Sequence, residues 1–440
     1  MSQPKHVVVR EYARLTCSAL AQQSLDRAQI SETAFDWLCQ LASSFTSAGA
    51  KLLQLDDRKW LRLDNYVGVL ESPCGQIIEV LPKIHDTEDC EFKSRQLLCK
   101  LIAEAMELPT RQAENASLAL KHNSLSEWVI AQFLTELDYL LKRGLRFDYL
   151  RVEEEQRYLS GQLNVVQQLR QPPGRQHHFQ IRHDIFVPNR AENRLLMSAL
   201  QLVCKSTQEA ENWRLAHELR CQLLELPASS DIGADFKAWR DDRLMAHYQA
   251  IKPWLELILY QRMPLATSGN YRGISLLFPM ERLFEVTVAK ALKKAAVAAT
   301  GSSKAIKTQC RTEFLCSHQQ QDWFQLKPDL SAEFDGRQWI MDTKWKRLDL
   351  KDSSAKFGLS QQDFYQMFAY GHKYLAGSGT LVLIYPAWQG FPANTKQLHF
   401  SYSAELSLYV LPYNLEDENA AKTLISWLQQ GNKQHNAAFY

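Results

Sequence analysis

Short apolar runs broken by polar and turn residues dominate the start of the chain. "AKLLQL", "KWLRL", "YVGVLES" and "QIIEVLPKI" have strand composition, and "SPCG" at 72–75 supplies a turn between the last two. Residues 1–90 are therefore predicted to form a small β-rich domain, with one helix in "SETAFDWLCQLASSF" opened by Ser31. The period then changes. In "NSLSEWVIAQFLTELDYLLKRG", Trp128, Phe133, Leu137 and Leu141 recur at helical spacing. Ser124 and Glu127 make a capping-box pair there, and Gly144 stands where a helix stop is expected. Residues 91–250 are predicted mostly helical, with loops and turns in the Arg-, Gln- and His-rich stretch from Leu150 to Leu196 and a linker in "LPASSDIGADF". The last part, 251–440, alternates. It holds a helix in "FPMERLFEVTVAKALKKAA", two strands in "LKPDLSAEFDGRQWIMDTKWK", a helix over 360–375 and a strand in "GTLVLIYP". The fold class is mixed α/β in three parts.

The pair of strands contains an anomaly. Aspartate is among the residues most depleted from strands, yet this pair carries Asp329 and Asp342, with Lys344 close behind. Asp335-Gly336 is a strong two-residue hairpin signal. If it is the turn, Asp329 lies directly opposite Asp342, with Cβ atoms roughly 4.5–5.5 Å apart. Lys344, two residues on, shares that face, while Trp339, Met341, Thr343 and Trp345 point to the other. Opposed like charges destabilise a sheet unless something positive lies between them. A hard divalent cation suits carboxylate oxygens, and a lysine beside it can offset charge building on a phosphate. Two acids and a lysine on one face thus point to metal-dependent hydrolysis of phosphate esters. A surface hairpin with solvated polar residues is the competing reading. The following helix weighs against it, because Gln366 and Tyr370 share a face with Asp363.

Composition narrows the classes. The chain has 440 residues with net charge +2, which allows two to four domains and a local basic face without demanding one. No run of about 18 apolar residues occurs, so no membrane span is expected. The start lacks the apolar core of a secretory signal, and the nine cysteines include no CxxC pair, which together predict reduced thiols in the cytoplasm. The His177, His178 and His183 group reads as a polar loop rather than a metal site. There is no GxxxxGK[ST] loop, hence no nucleotide site in this chain.

These residues resemble the PD-(D/E)XK nuclease superfamily. Pro328-Asp329 stands for the PD, Asp342-Thr343-Lys344 for the (D/E)XK, and Gln366 to Tyr370 for the QxxxY helix element. Within it the chain is similar to McrC, the nuclease subunit of McrBC-type modification-dependent restriction systems. "MERLFE", "LKPDL", "MDTKWK" and "DFYQMFAYGHKY" carry the likeness, with weaker echoes in "LSGQLN", "ENRLL" and "EVLPKI". The resemblance implies a restriction-endonuclease-like C-terminal domain that cuts double-stranded DNA, leaving 5′-phosphate and 3′-hydroxyl ends. It implies Mg²⁺, with Mn²⁺ as a substitute, held by Asp329 and Asp342, Lys344 as catalytic lysine, and Glu285 as an auxiliary acid that also meets the metal. Gln366 and Tyr370 would support the site or the DNA backbone. The resemblance further implies a McrB-like AAA+ GTPase hexamer as motor partner, reached through residues 1–90, and a second copy of this chain for double-strand cleavage. Two rivals stay open: a non-catalytic adaptor that activates the motor, and a stand-alone repair nuclease.

Overall fold

The computed structural model describes residues 6–44, 53–57, 59–84, 90–108, 124–172, 174–175, 177–241, 243–259, 276–334, 336–393 and 398–430. It is a mixed α/β chain in two compact units, one built from 1–125 together with 277–440, the other from 126–276. This division differs from three consecutive parts. The reason is a strand that the sequence did not announce. In the first unit β1 (His6–Arg10), β6 (Tyr66–Glu71) and β7 (Ile77–Leu81) form a sheet in the order β1-β7-β6-β11, where β11 is Leu276–Pro279. The N-terminal sheet is thus completed by a strand from the far side of the inserted unit.

A second N-terminal sheet runs β3-β2-β5-β4, with β2 at Arg14–Thr16, β3 at Arg27–Gln29, β4 at Leu53–Asp57 and β5 at Trp60–Leu63. The four apolar runs expected to be strands are β4 to β7. The predicted helix is α1 (Glu32–Ser44), and Ser31 Oγ accepts the Ala34 N–H at 3.2 Å as its N-cap. Next comes α2 (Cys90–Ala105). One polar lock stands out in its packing. Glu79, fully buried on β7, accepts from Arg95 of α2 at 2.8 and 2.7 Å. Burial opposes that carboxylate's charge, but the Arg95 hydrogen bonds outweigh it and hold its pKa low.

In the unit 126–276 the apolar period of α3 (Leu125–Arg143) buries Trp128, Phe133 and Leu137. Trp128 meets Trp254 of α8 (Lys252–Leu259) edge-on at 5.8 Å. Glu127 accepts from Thr207 Oγ1 and Asn212 Nδ2, both at 2.8 Å, so it anchors the start of α6 (Ala210–Gln222). Residues read as loops and turns form instead a ribbon, with β8 (Asp148–Gln156) antiparallel to β10 (Phe179–Val187), and β9 (Gln162–Leu163) on β10. The ribbon is held by opposite charges paired across the ladder rather than by apolar alternation, which is why its strands were hidden. Arg182 pairs with Glu153 opposite it, and Arg151 with Asp184 at 3.2 Å. His178 and His183 join the same pattern, bonding Glu155 at 2.6 Å and Glu154 at 3.3 Å. α4 (Val165–Leu169) lies between β9 and β10, α5 (Ala191–Ser206) between the ribbon and α6, and α7 (Ile232–Lys237) precedes α8.

The first unit resumes with β11 and α9 (Met280–Thr300), then a six-stranded mixed sheet. Its order is β12-β15-β16-β17-β19-β18. These strands are Ile306–Thr308, Leu330–Phe334, Arg337–Thr343, Gly379–Pro386, Leu406–Tyr413 and Leu398–Ser401, in that order. A separate exposed hairpin, β13 (Phe314–His318) with β14 (Gln321–Gln325), precedes β15. β16, β17 and β19 are parallel; β12 and β15 on one side and β18 on the other are antiparallel to their neighbours. One face of the sheet carries α10 (Gln361–Tyr374), whose Met367 and Tyr370 pack with Ile340, Leu381, Leu383 and Leu406. On the other side of β16, Trp339 meets Trp427 of α11 (Ala420–Gln430) at 5.4 Å. Among the described residues no helix is long and apolar enough to cross a membrane.

Candidate active site

The hairpin has the expected register. β15 and β16 pair Leu330 with Met341 and Phe334 with Arg337, and Gly336 takes φ 74° as a tight turn requires. Asp335 lies outside the described residues. Asp329 is the residue just before β15, so the ladder's continuation sets it opposite Asp342. Trp339, Met341 and Trp345 are buried and Ile340, two before Asp342, belongs to the cluster under α10, but Thr343, expected to point away from the acids, turns its hydroxyl to Asp329.

Asp342 occupies a central strand and is 2% exposed. Lys344 Nζ lies 2.7 Å from its Oδ2, and the Lys344 backbone N–H donates to Ile384 O at 2.9 Å, carrying the pairing with β17 past the strand end. The Asp329 carboxylate accepts from Thr343 twice, from its N–H at 2.8 Å and its Oγ1 at 2.6 Å. Gln309 N–H donates to the Asp329 carbonyl at 2.8 Å, fixing the backbone there. Burial pushes Asp329 up to about 7, helped by the Asp342 charge, while the Thr343 bonds pull the other way. Burial also raises Asp342, although Lys344 opposes this. Burial works against the Lys344 ammonium, yet Asp342 beside it outweighs that and holds the lysine above its ordinary value. Two crowded, desolvated carboxylates share one ammonium. Their hard oxygen donors and unrelieved repulsion fit a divalent cation.

The helix supplies the rest. Lys344 Nζ donates to Gln366 Oε1 at 2.9 Å, and Gln366 Nε2 donates to Tyr370 Oη at 2.7 Å. A relay therefore runs Asp342, Lys344, Gln366, Tyr370. Tyr370 is 2% exposed and sits in the core, so it acts by fixing the Gln366 amide rather than by reaching outward.

A protein-family model described as the McrBC 5-methylcytosine restriction system component matches residues 61–386. The chain belongs to that family. The McrC likeness read from its motifs is borne out by solved structures. A refined half-complex from the tetradecameric assembly of Thermococcus gammatolerans McrB AAA+ hexamers with bound McrC contains a chain of similar fold. The match has TM-score 0.71 and 14% identity and covers 96% of this chain and 99% of that one. The cryo-EM structure of the T. gammatolerans McrBC complex matches at TM-score 0.53 and 16% identity, over 66% of this chain and 88% of the other. No curated protein matches the chain.

In this McrBC component Glu285, on α9, stands apart from the two aspartates' immediate contacts. Arg282 Nη1 spans both its oxygens at 2.8 Å, and Gln309 Nε2 reaches it at 3.1 Å. Its charge still adds to the rise at Asp329. Among the described residues no three His, Cys, Asp or Glu side chains are grouped closely enough to hold a metal ion, so Glu285 does not complete a preformed set with the aspartates. One functional candidate was missed. Asp363 was read only as sharing a face with Gln366 and Tyr370, at the start of a helix that Ser360 gives no side-chain cap. Asp363 instead accepts from Tyr385 Oη at 3.2 Å and lies 4.0 Å from Lys344 Nζ. Its position three residues before Gln366 was the available signal.

Proposed function

We propose that this McrBC component is the nuclease subunit of its restriction system, with a PD-(D/E)XK active site that hydrolyses DNA phosphodiesters. What carries the reading is the convergence of Asp329, Asp342 and Lys344, with Asp342 buried, the other two half-buried and all three mutually perturbed. Mg²⁺, or Mn²⁺ in its place, would supply the Lewis acid that such hydrolysis calls for. Asp329 and Asp342 are the residues to hold it. Lys344, kept charged by Asp342 and aimed by Gln366, offsets the charge that grows on the phosphate. Glu285 serves as an auxiliary acid from the neighbouring helix, in reach once Arg282 yields it.

The motor is read from the solved relatives, in which McrB AAA+ hexamers hold McrC. By that likeness this chain works with an AAA+ GTPase ring, and a second copy of it provides the cut on the other strand. Besides the N-terminal region, the β8–β10 ribbon offers a surface for such a partner, because Tyr149 and Phe186 are exposed there with ring centroids 4.9 Å apart.

The decisive assay uses the chain reconstituted with its AAA+ partner, GTP and Mg²⁺ on modified duplex DNA. Asp342→Asn is expected to lower cutting by about 10³-fold or more while GTP hydrolysis by the ring is still stimulated. Equal cutting by both proteins would favour the adaptor reading. Efficient cutting by the isolated chain would favour the stand-alone nuclease.

A further inference from the structure

Next to the catalytic lysine lies a cleft that the hydrolysis itself does not need. It has a volume of about 510 Å³ and runs from Lys344 and Asp363 to the N-terminal strands, where Tyr12, Arg62 and Lys83 line it. Lys346 and Arg347, just past the catalytic strand, line it as well. Besides Lys344 this gives four cationic side chains against three acids, Glu11, Glu281 and Asp363. Two of the acids are already engaged. Glu11 is fully buried and accepts from Trp345 Nε1 at 2.9 and 3.0 Å and from the Lys83 N–H at 2.7 Å. Asp363 is bonded by Tyr385. Of the cations, Lys83 is shared with Asp26 at 3.3 Å and Arg347 stacks on Trp388 at 3.7 Å. Arg62 and Lys346 are the exposed pair. Arg62 lies over the Tyr12 ring at 5.9 Å, an arrangement that leaves guanidinium N–H groups at its edge for an anion.

The backbone adds an independent sign. Tyr12 has φ 64°, a left-handed conformation that costs a bulky residue roughly 1–2 kcal/mol. It persists because the turn is closed on both sides, by Ala13 N–H to Arg10 O at 3.0 Å and Glu11 N–H to Leu81 O at 2.9 Å. Strain held in this way clusters at ligand clamps. The Glu11 to Trp345 bonds then tie that turn to the residue directly after Lys344.

We infer that this cleft is a backbone subsite for the strand being cut, in which Arg62 and Lys346 hold phosphates flanking the scissile one and Tyr12 offers a ring to the adjacent nucleotide. The inference rests on the nuclease reading above and goes beyond it, since it makes the N-terminal strands part of the substrate groove. The test is fluorescence anisotropy of the full-length chain on a short duplex DNA in metal-free buffer across a salt series. Arg62→Gln and Lys346→Gln should each weaken binding several-fold and lower the slope of log K against log salt by about 1. Lys422→Gln, at an exposed position of α11, should change neither. Unchanged slopes in both cleft variants would overturn the subsite, whether or not the assembled complex cuts. Reduced slopes in a chain whose complex never cuts would keep the subsite as a nucleic-acid site and remove only the nuclease reading.

Discussion

Two of the antiparallel strand pairs in this chain make opposite use of the charged side chains they carry. Along the β8–β10 ribbon, acids face bases across the strands in water, as with Glu153 and Arg182 or Arg151 and Asp184. At the open end of β15–β16, acid faces acid beneath a helix, and Lys344 is ion-paired with Asp342. Exposed pairs of the first kind contribute about 0–1 kcal/mol each. Buried groups of the second kind alter each other's protonation, and that is what gives them chemistry. Strand pairing alone does not distinguish a scaffold from an active site; the solvent around the charges does.

The contrast can be broken most severely at Lys344. Lys344→Met leaves Asp342 without its base, and cutting by the assembled complex should fall about 10³-fold or more while the far-ultraviolet circular dichroism stays unchanged. A smaller effect of opposite sign is expected at Asp329. Its folded pKa, about 7, lies above the unfolded value near 3.8. The folded state therefore holds a proton that the unfolded state releases, and stability is lost as pH rises from about 4 to about 7. Asp329→Asn removes that loss, so it should be more stable than the parent by about 1–2 kcal/mol at pH 8 and equal to it near pH 4, read from urea unfolding. Next comes the seat of the helix. A Cβ on Gly371 would stand 2.7 and 2.9 Å from the Leu406 methyls and 3.1 Å from Leu381. Gly371→Ala should cost about 1 kcal/mol net, since overpacking outweighs the helix gain. At the ribbon, Glu153→Gln should change the unfolding free energy by less than about 0.5 kcal/mol, which calorimetry at low and high salt can check. A larger shift there would erase the distinction between the two pairs.

The hairpin was legible because three independent signals coincided: a turn dipeptide, two misplaced aspartates and a strict alternation. Local rules fix such a short loop, and its neighbour α10 was legible for the same reason. The ribbon was illegible because its charges are matched across the strands, as Glu153 with Arg182 some 29 residues on, and along either strand alone they look like any solvated surface. The unit boundaries were hidden for another reason. β11 joins β6 across two hundred residues, and nothing local in "LLFP" announces a partner so distant. Asp363 was visible as a residue but not as a member of the site, since helix-start acids are ordinary and only Tyr385 and Lys344 reveal its use.

The discontinuity of the larger unit sets an order of events during synthesis. Strands β1 to β7 leave the ribosome early, but the edge they offer stays open until β11 has been translated, and the six-stranded sheet comes later still. Closure over so long a separation is slow and waits on the whole insert. A nascent or truncated chain thus lacks the strands that bring Asp329, Asp342 and Lys344 together until most of the message has been read.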